Sequence, residues 1–453
     1  MIHFILKHTE IRKEFQTLLQ LALPLIATQL SQFAIIFTDT LMASWLGKEA
    51  LAGGGLGAGV YAFILMVGMG LLMAVGNLVA LNKKNLQEIL GVTKAGLFIA
   101  TCYGLFFSLL LWNIGPLLLL LGQKVEVVNN AVPYLRACMW GLLPALWFNT
   151  LRGTAVGLLH PGPIMGISLS AVIVNIGLNY LLMFGAFGFS GLGLVGSGIA
   201  SALVSCLMCI ALMIYMGKSN FFAAYPFFRQ LGDFAPEQVR ELLKLGIPTG
   251  LVFASEGGFF IAASFIVGSL GTLQLAAHQI VYQCISFSFM IPLGITHAVT
   301  ITISQSYGEQ ETKHLLLMSR LSLFLGICWM SFTGLLFWIG GEQIATLFVA
   351  SDEKDSLLLI QLAVQLLLVG ACFQIFDGSQ SIACGAMRGI NENTKNLAIT
   401  TTGYWIFGVP TAYLLGIVFQ QGAVGVWIGL AVGLATTALL AVFSFERKIA
   451  TWA

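Results

Sequence analysis

Three carboxylates lie where a very apolar chain would be expected to carry none. Of the 19 Asp and Glu residues, nearly all fall in loops or at the ends of apolar stretches, whereas Asp39, Glu256 and Asp377 fall inside them. At the centre of a membrane helix such a group costs about 2.5–3.5 kcal/mol on insertion scales, and groups of this kind mark ion and substrate paths. No Lys or Arg is expected at the same depth, so an internal ion pair is not available to them. Away from water a carboxyl group favours its neutral form, so it can take up a proton and release it when hydrated at the other face. Ionised, it can hold Na⁺ or a cationic organic molecule instead. The two uses exclude each other, and linked binding makes that exclusion reciprocal, which is what exchange of one solute for another needs. The plainer alternative is a neutral acid hydrogen-bonding two helices together.

The neighbours of these acids are polar at helical spacing. Gln32 precedes Asp39 by seven residues and shares its helical face. Gly257 and Gly258 leave room beside Glu256, and Gln374, Gln380 and Ser381 flank Asp377 within about a turn. Asn175 and Asn179 are four apart and stack on one face; two amides facing a carboxylate would suit a proton or a small cation. As interhelical glue each is worth about 0.6 kcal/mol in membranes. Ser197 and Ser201, one turn apart, offer hydroxyls or more glue. Gln279 and Gln283 are secondary candidates, and His278 reads as a boundary residue near the outer face. The eight cysteines all fall in apolar segments; Cys206 and Cys209 have no second pair or His cluster to complete a metal site, so they read as small apolar filler.

The elements that must hold these residues are membrane helices. Of the 453 residues 58% are hydrophobic and 9% charged, against about 25% charged in an ordinary soluble domain. Twelve apolar stretches, near 18–46, 51–80, 92–121, 132–158, 164–187, 194–217, 246–269, 274–303, 315–340, 360–387, 397–419 and 422–445, meet the roughly 20 residues a bilayer requires. The first is too long for a signal-peptide core and follows an amphipathic lead-in. Prolines at 24, 248, 292 and 410 predict bends whose freed carbonyls find other partners. With the N-terminus inside, 17 of the 21 Lys and Arg fall on the inner side, leaving Lys48, Lys124, Arg136 and Lys354 outside; the positive-inside rule then puts both termini in the cytoplasm.

A polar connection over 218–245, expected to hold a short amphipathic helix, divides the chain into six-helix bundles, residues 1–225 and 226–453. The halves echo each other at an offset of 224: Pro24 meets Pro248, Ser31 meets Ser255, Leu46-Gly47 meets Leu270-Gly271, and Leu51-Ala52 meets Leu275-Ala276. Further on, Leu151-Arg152-Gly153 echoes Met387-Arg388-Gly389. An even number of spans per half makes the repeat parallel, with a pseudo-two-fold axis along the membrane normal and a binding site expected between the halves. The expected fold class is thus an all-α integral membrane protein of twelve helices.

Four strings, in order, resemble the multidrug and toxic compound extrusion family, and its NorM-like branch most closely: LALPLIATQLSQFAIIFTDTLMASWLG, VNIGLNYLLMFG, GIPTGLVFASEGGFF and DGSQSIACGAMRG. The resemblance spans nearly the whole chain. It implies two bundles around a cavity that opens alternately to each side of a bacterial inner membrane, and export of lipophilic, mostly cationic compounds in exchange for H⁺ or Na⁺. It implies one cation site at Glu256 and Asp377 and another at Asp39, Asn175 and Asn179, either able to hold Na⁺ transiently, with Pro24 as the hinge of the first helix. One departure concerns Phe373, which stands where some Na⁺-coupled relatives carry a Tyr; the missing hydroxyl weakens the case for Na⁺ there. No cofactor other than the coupling ion, no structural metal and no nucleic-acid partner is expected; the chain is expected to act as a monomer among membrane lipids. A lipid-linked oligosaccharide flippase of the same superfamily is the runner-up, disfavoured because its pyrophosphate would want bases where this chain places acids. Motifs of metalloprotease, serine-hydrolase or phosphate-loop enzymes are absent from the sequence.

Overall fold

The computed structural model describes residues 2–120, 122–185, 190–229, 232–348 and 356–451. Leu121 and residues 186–187, expected at the ends of the third and fifth spans, residues 230–231 of the central connection, and Lys354 lie outside the described residues. All regular structure among them is helical. The long helices are α1 (Ile2–Ser44), α2 (Lys48–Leu81), α3 (Leu86–Trp112), α4 (Val125–Gly157), α5 (Gly162–Asn179, continued by a π turn Tyr180–Phe184), α6 (Leu194–Lys218), α7 (Pro236–Ser269), α8 (Thr272–Gly308), α9 (Thr312–Thr346) and α10 (Ser356–Gly389). They are followed by a composite α11, running Asn393–Thr401, Thr402–Gly408, Val409–Tyr413 and Leu414–Val418, and by α12 (Gly422–Ala450).

Ten of these are long and apolar enough to cross a membrane. The other two, α4 and α11, complete the expected twelve. In α4, Arg136, Asn149 and Arg152 dilute the apolar character; α11 is interrupted by two π-helical segments. Pro410 accounts for the first interruption, because it removes an N–H and its ring crowds the preceding turn, and a wider turn relieves both. The lead-in to the first span and the span itself form one helix. One expectation about flanking segments changes: the amphipathic helix of the central connection forms the opening turns of α7 rather than an element of its own.

The chain divides into two compact units, Met1–Ile26 with Leu251–Ala453, and Ala27–Gly250. Helices α1 and α7 therefore each contribute to both, and the division points after Ile26 and Gly250 are separated by the same 224 residues as the sequence repeat. Each point lies two residues beyond a proline, Pro24 or Pro248.

Within each unit the fourth helix of its half is the spine. In the unit Ala27–Gly250, α4 packs on α2, α3 and α6. Small residues set the spacing there: a Cβ on Gly157 would stand 2.7 Å from the Gly76 carbonyl oxygen, and one on Gly141 2.7 Å from the Ala202 Cα. Close backbone approach of this kind is how helices associate where lipid removes the hydrophobic drive.

In the other unit α10 packs on α8, α9 and α12, and a ladder of hydroxyls repeats every turn between α8 and α10. Thr296 Oγ1 and Ser381 Oγ lie 2.9 Å apart, Thr300 Oγ1–H donates to the Gly385 carbonyl at 3.0 Å, and Ser304 Oγ–H to that of Gly389 at 3.1 Å. One turn further along α8 is Pro292, whose missing N–H frees the Ser288 carbonyl; Trp329 Nε1–H takes it at 3.1 Å. The Cγ of Pro292 lies beside Gly378, next to Asp377, so the ladder fixes the height of that acid.

Candidate functional site

The first cluster gathers around Asp39. Its carboxylate is half-buried on α1 and accepts three hydrogen bonds from two other helices. Asn179 Nδ2–H donates to Oδ1 at 2.5 Å, Asn175 Nδ2–H to the same oxygen at 3.1 Å, and Ser201 Oγ–H to Oδ2 at 2.8 Å. Asn179 Nδ2 also reaches Asn175 Oδ1 at 3.2 Å. Both asparagines are fully buried, at 0% exposure, and Asn179 Oδ1 has no hydrogen-bond partner among the described residues. Every donor to the carboxylate is neutral. Such a set can hold an anionic oxygen in place without cancelling its charge, which leaves that charge to attract a cation. The i, i+4 spacing on α5 aims both amides at one oxygen, and the π turn starting at Tyr180 follows directly.

Of the other candidates in this unit, Ser197 is buried one turn before Ser201 but does not bond Asp39. Gln32 is half-buried, with no hydrogen bond to Asp39 among the described residues. Pro24 lies inside an unbroken α1, on the side of the division point belonging to the other unit.

The second cluster is built by α7, α10 and α11. Glu256 is half-buried and Asp377 is 4% exposed; the two charges interact, and Asp377 Oδ1 has no partner among the described residues. Here one expectation is corrected. Arg388, assigned to the inner end of its span, is 3% exposed, and its charge interacts with that of Glu256. Its long stem carries the guanidinium inward while its Cα stays at the helix end, over the Phe253 ring at 5.9 Å. A base therefore does reach the second cluster.

The residues flanking Asp377 part company. Gln374 points into a satisfied network in which its Oε1 accepts from Ser288 at 3.0 Å and Thr333 at 3.2 Å, while its Nε2 donates to the Met330 carbonyl. Ser381 belongs to the α8–α10 ladder. Gln380 is buried; its Nε2 donates to Cys384 Sγ at 3.4 Å, and its Oε1 has no partner among the described residues. Gln279 is exposed and Gln283 half-buried, and neither bonds Glu256 or Asp377 among the described residues.

Phe373 is a core residue, 0% exposed, edge-on to Trp427 with ring centroids 5.2 Å apart. His278 is also buried rather than at a boundary. Its Nδ1 accepts from Trp427 Nε1–H at 3.1 Å, so its other nitrogen, Nε2, carries the proton facing Ser264 Oγ at 3.0 Å. Not foreseen from the sequence were the inward reach of Arg388 and the fully buried Tyr404, whose hydroxyl has no hydrogen-bond partner among the described residues. The repeated Leu/Met-Arg-Gly string was a signal for the arginine; nothing set Tyr404 apart from the other aromatic residues.

Comparison with known proteins agrees with this architecture. The MatE family model matches the chain twice, over residues 24–181 and 248–414, and the two matches begin 224 residues apart, at Pro24 and Pro248. A probable multidrug resistance protein NorM from Pseudomonas syringae pv. tomato is 39% identical over 97% of this chain and 96% of its own. One of the same name from Pseudomonas aeruginosa is 38% identical over 96% and 90%. Among solved structures, a MOP superfamily transporter from Pyrococcus furiosus superposes with a TM-score of 0.89 at 20% identity, covering 97% of this chain and 96% of that one. An outward-facing multidrug resistance MATE family transporter gives 0.87 at the same identity and coverage. With a duplicated twelve-helix layout and a matching family model over most of its length, the chain belongs to the MatE family of multidrug and toxic compound extrusion transporters.

Proposed function

We propose that this protein is a secondary active exporter, driving lipophilic, mostly cationic compounds out of a bacterial cell in exchange for H⁺ or Na⁺. The observation that carries the reading is Asp39, a carboxylate inside a membrane helix held by three neutral donors and, among the described residues, by no base. The Glu256 and Asp377 pair supplies a second place where a cation can bind. Coupling follows from competition. A site that holds the coupling ion disfavours the drug by the same factor by which the drug disfavours the ion. Alternating exposure of the site then turns a gradient of one into movement of the other. The reading includes an inner-membrane location with both termini cytoplasmic, supported by the distribution of Lys and Arg, and a monomer working among membrane lipids.

A flippase for lipid-linked oligosaccharides is not favoured. Among the described residues the base that reaches the acids is Arg388, and its charge interacts with that of Glu256, so the second cluster offers a pyrophosphate two acids against one base. The test is dye efflux from vesicles containing the purified protein, with a Na⁺ gradient or a pH gradient imposed separately. Efflux under one of them is expected, and Asp377→Asn should lose it while still reconstituting. No gradient-driven efflux of any cationic dye would overturn the reading.

A further inference from the structure

The second cluster contains more unpaired oxygens than its two acids supply. Asp377 Oδ1, Gln380 Oε1 and the Tyr404 hydroxyl are all buried without a hydrogen-bond partner among the described residues, and Tyr404 is 0% exposed. Buried polar atoms are nearly always paired, and each exception asks for an explanation.

Three contacts fix where Tyr404 stands. Its ring stacks on Phe259, with centroids 4.7 Å apart and planes 5° from parallel, and Phe259 lies about one turn from Glu256. The next residue, Trp405, donates its Nε1–H to Ser255 Oγ at 2.9 Å, immediately beside Glu256. On the other side, Asn396 Nδ2–H donates to the Cys384 carbonyl at 3.4 Å and pins α11 against α10. Tyr404 is eight residues beyond that pin along α11, and Asp377 seven residues back along α10. At about 1.5 Å per residue they stand about 12 and about 10.5 Å from it, at one level. The charges of Glu256, Asp377 and Arg388 all act on the Tyr404 hydroxyl. Finally, Tyr404 sits in the π-helical segment Thr402–Gly408, and such turns recur at functional sites.

We infer that the Tyr404 hydroxyl is an oxygen ligand of the cation bound by Glu256 and Asp377, supplying from α11 the hydroxyl that Phe373 withholds from α10. A phenol can donate or accept, yet among the described residues this one does neither. A small cation among Tyr404, Asp377, Gln380 and Glu256 gives each unpaired oxygen a partner at once, and an all-oxygen set suits a hard cation. The inference rests on the proposed cation-coupled export.

The test is Tyr404→Phe, which keeps the ring stacked on Phe259 and removes one oxygen. In vesicles with the wild type as reference, dye efflux is followed against the concentration of the driving ion. The variant should need about tenfold more ion, or beyond, for half-maximal rate, the loss expected for one bond to a charged partner, with maximal rate within about twofold. An unchanged ion requirement overturns the inference, as does a lower maximal rate at an unchanged requirement, which marks a structural role. Should the variant reconstitute poorly, the rise of melting temperature with ion concentration in detergent reads the same affinity, and identical curves for both proteins refute the assignment. Absence of ion-driven efflux in the wild type would instead remove the proposed function, and this inference with it.

Discussion

Replacing Asp39 by Asn and by Ala separates the charge of the first cluster from its hydrogen bonding. In Asp39→Asn the amide oxygen can take the place of Oδ1 and still accept from Asn175 and Asn179, which now donate at 3.1 and 2.5 Å. The new NH₂ faces Ser201 Oγ, which can reverse its role and accept. Every bond survives, so stability should stay within about 0.5 kcal/mol of wild type, as for substitutions that leave packing and pairing intact. What disappears is one negative charge. At about 4 Å and an effective dielectric near 20 its attraction for a monovalent cation is about 4 kcal/mol, or close to a thousandfold in affinity. Asp39→Ala loses the charge and the acceptor together. Asn179 keeps its 3.2 Å bond to Asn175, but the Asn175 Nδ2 loses its acceptor, a cost of about 1–3 kcal/mol. The assays are binding of a fluorescent cationic dye to purified protein and melting in detergent. Asn should melt like wild type and bind cations at least a hundredfold more weakly; Ala should also melt several degrees lower. Dye affinity within threefold of wild type in Asp39→Asn would show that the carboxylate charge is not what holds the cation.

Two further outcomes concern packing. Thr300→Val removes the bond to the Gly385 carbonyl in the middle of the hydroxyl ladder; melting should fall by the equivalent of about 0.6–1.5 kcal/mol with dye efflux retained. Gly157→Leu puts a Cβ 2.7 Å from the Gly76 carbonyl oxygen and should cost about 1–3 kcal/mol or more by overpacking. Gly177→Ala, whose Cβ meets nothing within 4 Å, should be neutral or slightly stabilising. Equal melting temperatures for these two glycine variants would count against the close α2–α4 approach.

What could be read from the sequence was whatever repeats or contradicts its surroundings. Asp39 stood out because it is charged in an apolar run, and Asn175 and Asn179 because four residues is one helical turn. Ser201 was ambiguous, since a serine serves glue and ligand alike until its partner is known. The same limit hid the division of labour around Asp377. Gln374 and Gln380 lie three residues to either side, but only the structure shows the first locked to Ser288 and Thr333 and the second with its Oε1 unpaired among the described residues. Arg388 was misplaced for a different reason. Charge rules locate the end of a helix, and a side chain of that length ends well away from its Cα. The π turns had a cue only at Pro410; the one after Asn179 has none, and Tyr404 carries no mark that separates it from an aromatic packing residue.

The repeat makes the two halves comparable position by position, and there they differ in an informative way. At the 224-residue offset Glu256 aligns with Gln32, and Asp39 with Ala263. Each half therefore has one acid inside the apolar stretch of its first helix, but at places seven residues apart on a shared face, about 10.5 Å along the axis. The partners differ accordingly. Asp39 is met by α5 and α6 through neutral donors, whereas Glu256 is met by α10 and α11, with another acid and an arginine. Duplication supplied the frame, and each half then set its charge at its own depth. This asymmetry has a consequence for a charge-preserving exchange. In Asp39→Ala combined with Gln32→Glu, the helix keeps one carboxylate on the same face, two turns from Asn175, Asn179 and Ser201. If the site is that specific set of donors, the double variant should transport no better than Asp39→Ala alone, although its net charge equals that of the wild type. Recovery of efflux to more than about a third of the wild-type rate would mean that a carboxylate anywhere along this face suffices, and that the three hydrogen bonds to Asp39 serve packing only.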